Sequence, residues 1–174
     1  MRLHTIGHST RPLDELVALL RENGVARLLD VRTVPHSRHN PQYDTDSLQQ
    51  TLPTAGIAYA HRPELGGLRK PRRDSQNQGW KNDSFRGYAD YMQTPAFEQA
   101  MAALIAEAAE VPTAVMCAEA LPWRCHRSLI ADALSVRGIE VRHIMGPGKI
   151  QLHALTGFAQ VEGTRISYPF SLEA

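Results

Sequence analysis

Short aliphatic runs that alternate with segments of helical period are the feature that most restricts what this chain can become. Leu3 to Ile6 reads as an extended strand, and Leu13, Leu16, Val17 and Leu20 then recur at the spacing of one helix face. Thr10 and Pro12 suit the start of that helix, and Asn23-Gly24 suits its end, where a left-handed residue is needed. The same alternation predicts strands over 27–31, 57–61, 111–117 and 139–144, and helices over 44–55, 84–92, 95–109 and 127–137. Parallel neighbours need crossover connections, and these are right-handed in nearly all cases. The pattern therefore predicts an α/β fold, a three-layer αβα sandwich around a mainly parallel sheet of about five strands.

A chain of 174 residues fits one domain spanning 1–174. Residues 62–83 carry Gly, Pro, Asn and basic side chains without periodicity, and a loop of that length in a compact domain is read as a lid or binding loop. The tail over 146–174 is expected to supply a short helix and a strand that cover one sheet edge.

Charge excludes some partners. Lys plus Arg number 19 against 18 Asp plus Glu, so no overall field draws the chain to nucleic acid or to a membrane, and any affinity for anions must be local. The basic run Arg69, Lys70, Arg72, Arg73 is broken by Pro71 and reads first as a solvated loop. With two cysteines, no apolar leader near the start and no long uncharged apolar stretch, a reduced cytoplasmic protein with no membrane partner is expected.

In open parallel sheets ligands bind outside the carboxyl ends of the strands, and those ends are polar here. They carry Gly7-His8-Ser9, Asp30 with Arg32, His61, Cys117 followed by Glu119, and His143. Any one of these taken alone is more simply a group that satisfies loop backbone; the convergence of all five ends is what points to a site. The segment from Cys117 to Arg127 joins a strand to a helix start, where free amides and the helix dipole favour an anion and Arg127 adds a fork of donors. The same field is expected to lower the thiol pKa of Cys125, while Cys117 reads as structural. The spacing from Cys117 to Arg124 or Arg127 misses that of the cysteine phosphatases. Cys117, Glu119, Cys125 and His126 offer four possible metal ligands, but without the paired hooks of a structural zinc site, so no metal and no other cofactor is assigned.

The set Thr5-Ile6-Gly7-His8-Ser9, Asp30-Val31-Arg32 with Pro35, Ser37 and Arg38, Leu65-Gly66-Gly67, Cys117-Ala118-Glu119, Cys125-His126-Arg127, His143-Ile144 and Tyr168-Pro169 resembles the bacterial domain-of-unknown-function family numbered 488. The resemblance runs through nearly the whole chain. It implies an α/β fold and a shared site without naming a reaction.

The expected activity is that of an enzyme, a hydrolase or transferase, acting on an anionic, phosphate-bearing substrate, with nucleotides or nucleic acid the favoured class. Glu119, Cys125, His126, His8 and Asp30 are the candidate catalytic groups. Arg127, Arg32, Arg38, Ser9 and His61 are the candidate substrate-binding groups, with Arg124 in support. Two other readings stay open: a nucleic-acid binding module that uses Arg69 to Arg73 with Trp80 and Phe85, and a thiol or metal sensor.

Overall fold

The computed structural model describes residues 1–171. Strands β1 (Arg2–Gly7), β2 (Arg27–Asp30), β3 (Ala58–His61), β4 (Thr113–Cys117) and β5 (Glu140–Gly146) alternate with helices α1 (Leu13–Glu22), α2 (Thr45–Thr54), α3 (Asp83–Tyr91), α4 (Pro95–Glu110) and α5 (Arg127–Ser135). Three short strands follow, β6 (Lys149–Leu152), β7 (Gln160–Glu162) and β8 (Arg165–Ser167). Glycine sets several of the boundaries. Gly24 (φ 69°), Gly56 (φ 80°) and Gly138 (φ 80°) take the left-handed turn just beyond α1, α2 and α5, a conformation that a residue with a Cβ adopts only at a cost.

The main sheet has six strands in the order β3-β2-β4-β1-β5-β6. All neighbours are parallel except β5 and β6. Period-two alternation sends side chains to two cores. Ile6, Leu28, Ala114, Met116 and Ile144 meet Leu16, Leu19 and Leu20 of α1 and Leu48 and Leu52 of α2 on one face. Leu3, Leu29, Val115, Cys117 and Val141 meet Tyr88, Phe97, Met101, Leu104, Leu129 and Leu134 of α3, α4 and α5 on the other. The result is the three-layer sandwich the alternation predicts.

The tail departs from expectation. β6 does pair with the free edge of β5, but no helix follows among the described residues; β7 and β8 form a separate antiparallel hairpin instead. Gly148 (φ 65°) and Gly163 (φ 64°) make the reversals, and turns of that kind favour strand pairing over helix. Residues 172–174 of the expected tail lie outside the described residues. No helix among the described residues is long and apolar enough to cross a membrane.

The strand order positions the site. From β1 the chain crosses by α1 toward β2, whereas from β4 it crosses by α5 toward β5 on the opposite face. Adjacent strands whose connections leave in opposite directions open a crevice beyond their carboxyl ends. Here that crevice lies between β1 and β4.

Candidate active site

A cavity of about 670 Å³ fills this crevice. Its walls come from the three strand ends that meet there: His8 and Ser9 after β1, Arg32, Thr33, Val34, His36, Ser37 and Asn40 after β2, and Cys117 to Ala120 at the end of β4, together with Arg124, Cys125 and His126. Gly67 and Leu68 of the long loop and Phe85 of α3 close one side.

The end of β1 and the loop after β4 are tied together by their backbones. His8 N donates to Cys117 O at 3.0 Å and Ser9 N to Ala118 O at 2.9 Å. Ser9 stands at φ 48°, the one non-glycine residue with positive φ among those described. Strained backbone of this kind collects at functional sites, where the surrounding structure holds it.

Cys125 and His126 form the most chemically suggestive contact. The ring Nε2 of His126 lies 2.8 Å from Val31 O, so that nitrogen carries the proton and donates it. Nδ1 is then left as an acceptor, 3.3 Å from the Cys125 sulfur. Burial pushes the imidazole pKa down to about 4, which keeps His126 neutral. Gly67 permits this arrangement, because a Cβ there would sit 2.6 Å from His126 Nδ1.

The two thiols influence each other's ionisation. Burial works against ionising Cys117, yet the bond from Cys125 and the nearby Arg127 guanidinium outweigh it and hold Cys117 below its ordinary pKa. Cys125 is pushed well up by its bond to Cys117, then by burial and by the charge Cys117 would carry. The lowered Cys125 thiol expected from the helix start is therefore corrected: Cys117, not Cys125, is the thiol whose pKa is lowered.

Several expected binding groups are used elsewhere. Arg127 is fully buried and is absent from the cavity walls. Its Nη2 donates to the carbonyls of Glu119 at 3.3 Å and Ala120 at 3.1 Å, so it holds up the loop rather than clamping a ligand. Asp30, also fully buried, forms a fork with Arg32 at 2.9 and 2.6 Å and accepts from Tyr59 Oη at 2.6 Å; it positions Arg32 and faces no cavity. His61 gives its Nε2 proton to Arg32 O at 2.6 Å, and Arg38 is exposed beyond the cavity walls. His143 lies within β5 opposite Thr5, bonded to Thr5 Oγ1 and to His153, which bonds Asp132. It belongs to a polar network that anchors the tail to α5, not to the site.

His8 lines the cavity, but its nitrogens are occupied. Nδ1 donates to Ser9 O at 2.8 Å and Nε2 accepts from Arg32 Nη1 at 3.1 Å, with the ring stacked on Tyr43 at 4.2 Å. Burial lowers its pKa. His8 is thus a neutral acceptor that fixes Arg32. Arg32 spends four of its five N–H bonds on Asp30, Tyr43 O and His8 and keeps one for the cavity. Arg124 and Glu119 are exposed at the mouth, and neither side chain has a partner among the described residues. His36 and Asn40 line the cavity without having been singled out in the sequence, their only signal being a place just after Arg32; Ser37, singled out in the family motif alone, lines it with them.

The long loop is fastened down. Asp90 accepts from Arg72 N at 2.8 Å, Ser75 Oγ at 2.6 Å and Asn77 Nδ2 at 2.7 Å. Arg69 lies over the Tyr91 ring at 3.6 Å and Arg72 pairs with Asp74 at 3.0 Å. Trp80 sits among Phe85, Phe158 and Tyr168, with centroids 4.8 to 5.5 Å apart. Its ring is partly buried and packs against the core. Among the described residues, no group of three or more His, Cys, Asp or Glu is drawn together so as to hold a metal ion.

The family described as domain of unknown function DUF488 matches residues 12–134 of the chain. Neither a curated protein nor a solved structure matches it.

Proposed function

The chain belongs to the DUF488 family, and from its site we propose that it is an enzyme acting on a phosphate-bearing substrate of nucleotide size, with Cys125 as nucleophile and His126 as its base. The observation that carries this reading is the Cys125 sulfur 3.3 Å from His126 Nδ1, with the ring held by the bond from Nε2 to Val31, on the wall of an open cavity. A nucleophile, a base in reach and a third group that orients the base are the parts covalent catalysis requires.

The walls suit the substrate class. Arg124 and the remaining N–H of Arg32 face one acidic side chain, Glu119, so the cavity favours an anion. Val34, Leu68 and Phe85 offer apolar surface to a base or sugar. A volume of about 670 Å³ lies within the usual range for small-ligand sites.

The steps balance without a cofactor. As the Cys125 sulfur bonds to the electrophilic centre, its proton passes in the same step to His126 Nδ1, since the thiol stays protonated until that bond forms. The leaving group departs with the bonding pair and takes that proton from the imidazolium. Water, losing a proton to Glu119, then displaces the sulfur as a thiolate, and the proton on Glu119 is returned to it through solvent to regenerate the thiol and the carboxylate.

The test is thermal unfolding with a panel of nucleoside mono- and diphosphates and sugar phosphates. A ligand at about 100 times its Kd stabilises by about 2.7 kcal/mol, a shift of several degrees for a chain of this size. Arg124→Ala is expected to weaken that binding roughly tenfold or more. Cys125→Ser is expected to keep the stabilisation and abolish turnover. If no member of the panel raises the unfolding temperature, the reading fails.

A further inference from the structure

We propose that Cys117 and Cys125 are a redox couple that closes to an intramolecular disulfide when a peroxide enters the cavity. Both thiols are free, both are buried, and both contribute to the wall of one cavity, so a small oxidant reaches either sulfur through the same opening. The sulfurs are held on that wall by the protein's own bonds, Cys117 Sγ 3.6 Å from Glu119 O and Cys125 Sγ 3.3 Å from His126 Nδ1.

The second observation is Arg127. Its side chain is fully buried, its Nε and Nη1 have no hydrogen-bond partner, and it forms no ion pair among the described residues. Its own amide donates to the Cys125 sulfur at 3.4 Å. A buried guanidinium without a counter-charge is costly, and the thiol pair, whose ionisation its charge favours, is a group that can supply one. A thiolate there resolves the anomaly and is the form that reacts with peroxide.

The chemistry closes on this chain and the oxidant alone. The Cys117 thiolate attacks one peroxide oxygen, breaks the O–O bond and becomes a sulfenic acid, with the other oxygen leaving as hydroxide, which takes a proton to become water. The Cys125 thiol, losing its proton to the neighbouring His126 Nδ1, attacks the Cys117 sulfur and expels the sulfenic oxygen, which leaves as a second water. Two thiols are oxidised, one peroxide is reduced, and Cys125 is withdrawn from the cavity until a dithiol reductant restores it. Formation of the bond stands apart from the reading of Cys125 as nucleophile; only its effect on turnover rests on that reading.

The test treats the full chain with hydrogen peroxide under native conditions and reads intact mass and tryptic peptides. Trypsin cuts after Arg124, so a disulfide holds together the two peptides that meet there. The expected result is loss of two hydrogens, joined peptides, reversal by dithiothreitol, and none of this in Cys117→Ser or Cys125→Ser. Arg127→Met is expected to slow closure about tenfold or more by removing the cation that favours the thiolate, and Arg127→Lys to restore most of the rate. Oxidation that runs to sulfinic acid without joining the peptides, or thiols inert in the folded protein, would overturn the proposal. Because mass reports the bond without any substrate, a protein that closes the disulfide yet binds no nucleotide keeps this inference and loses the function proposed above.

Discussion

Asp30→Ala is expected to lower the stability of the protein by about 3–5 kcal/mol, the cost of leaving a buried charge without its partner. Asp30 is fully buried and Arg32 is 7% exposed, so water cannot replace the lost carboxylate. Both oxygens of Asp30 are engaged, one by Arg32 Nε and its backbone amide, the other by Arg32 Nη2 and Tyr59 Oη. Their loss strands the guanidinium and the phenol together. For a chain of this size the unfolding temperature should fall by roughly 10 °C, measured by calorimetry. Asp30→Asn keeps the shape and one acceptor and should lose less. A fall of a degree or two for the alanine variant would mean that Arg32 finds water, and would contradict its role as a fixed wall of the cavity.

Gly7→Ala is expected to be nearly as severe, about 3 kcal/mol or more, because the obstruction is backbone rather than a side chain that can turn away. A Cβ at Gly7 would lie 1.7 Å from Glu119 O, 2.5 Å from its carbonyl carbon and 2.9 Å from Ala120 Cα. To admit it, the end of β1 must separate from the loop that carries Glu119 and spans the two cysteines. The His8 and Ser9 bonds to Cys117 O and Ala118 O would break with it. Denaturant unfolding should show the loss. If Gly7→Ala matches the parent in stability, the close approach of β1 to this loop is not what shapes the site.

What the sequence could and could not reveal follows from where the information lies. Local signals placed the elements: Asn23-Gly24, Gly56 and Gly138 end α1, α2 and α5 within a residue or two of expectation. The preference of open sheets for ligands at carboxyl ends led to His8, Ser9, Arg32, Glu119, Cys125 and His126, all of which the fold brings to one cavity. Direction was not legible. Arg127 heads a helix in sequence, but only the path of the loop after β4 decides that its guanidinium turns inward to the carbonyls of Glu119 and Ala120. His143 looks like a strand-end residue, yet β5 continues to Gly146, and the register opposite Thr5 puts it mid-strand. Asp30 and His61 have the chemistry of a site and are consumed in holding Arg32 and its loop. The tail escaped for another reason: β6 and β7 are four and three residues long, too short for their alternation to stand out in the sequence.

The most direct trial of the site is the crystal structure of Cys125→Ser grown with a saturating nucleoside diphosphate. The account predicts a phosphate within hydrogen-bond reach of Arg124 and Arg32 Nη1, the base or sugar against Leu68 and Phe85, and the reacting atom about 3–3.5 Å from the residue 125 oxygen. A ligand bound elsewhere, or an empty crevice between β1 and β4 at that concentration, would contradict it.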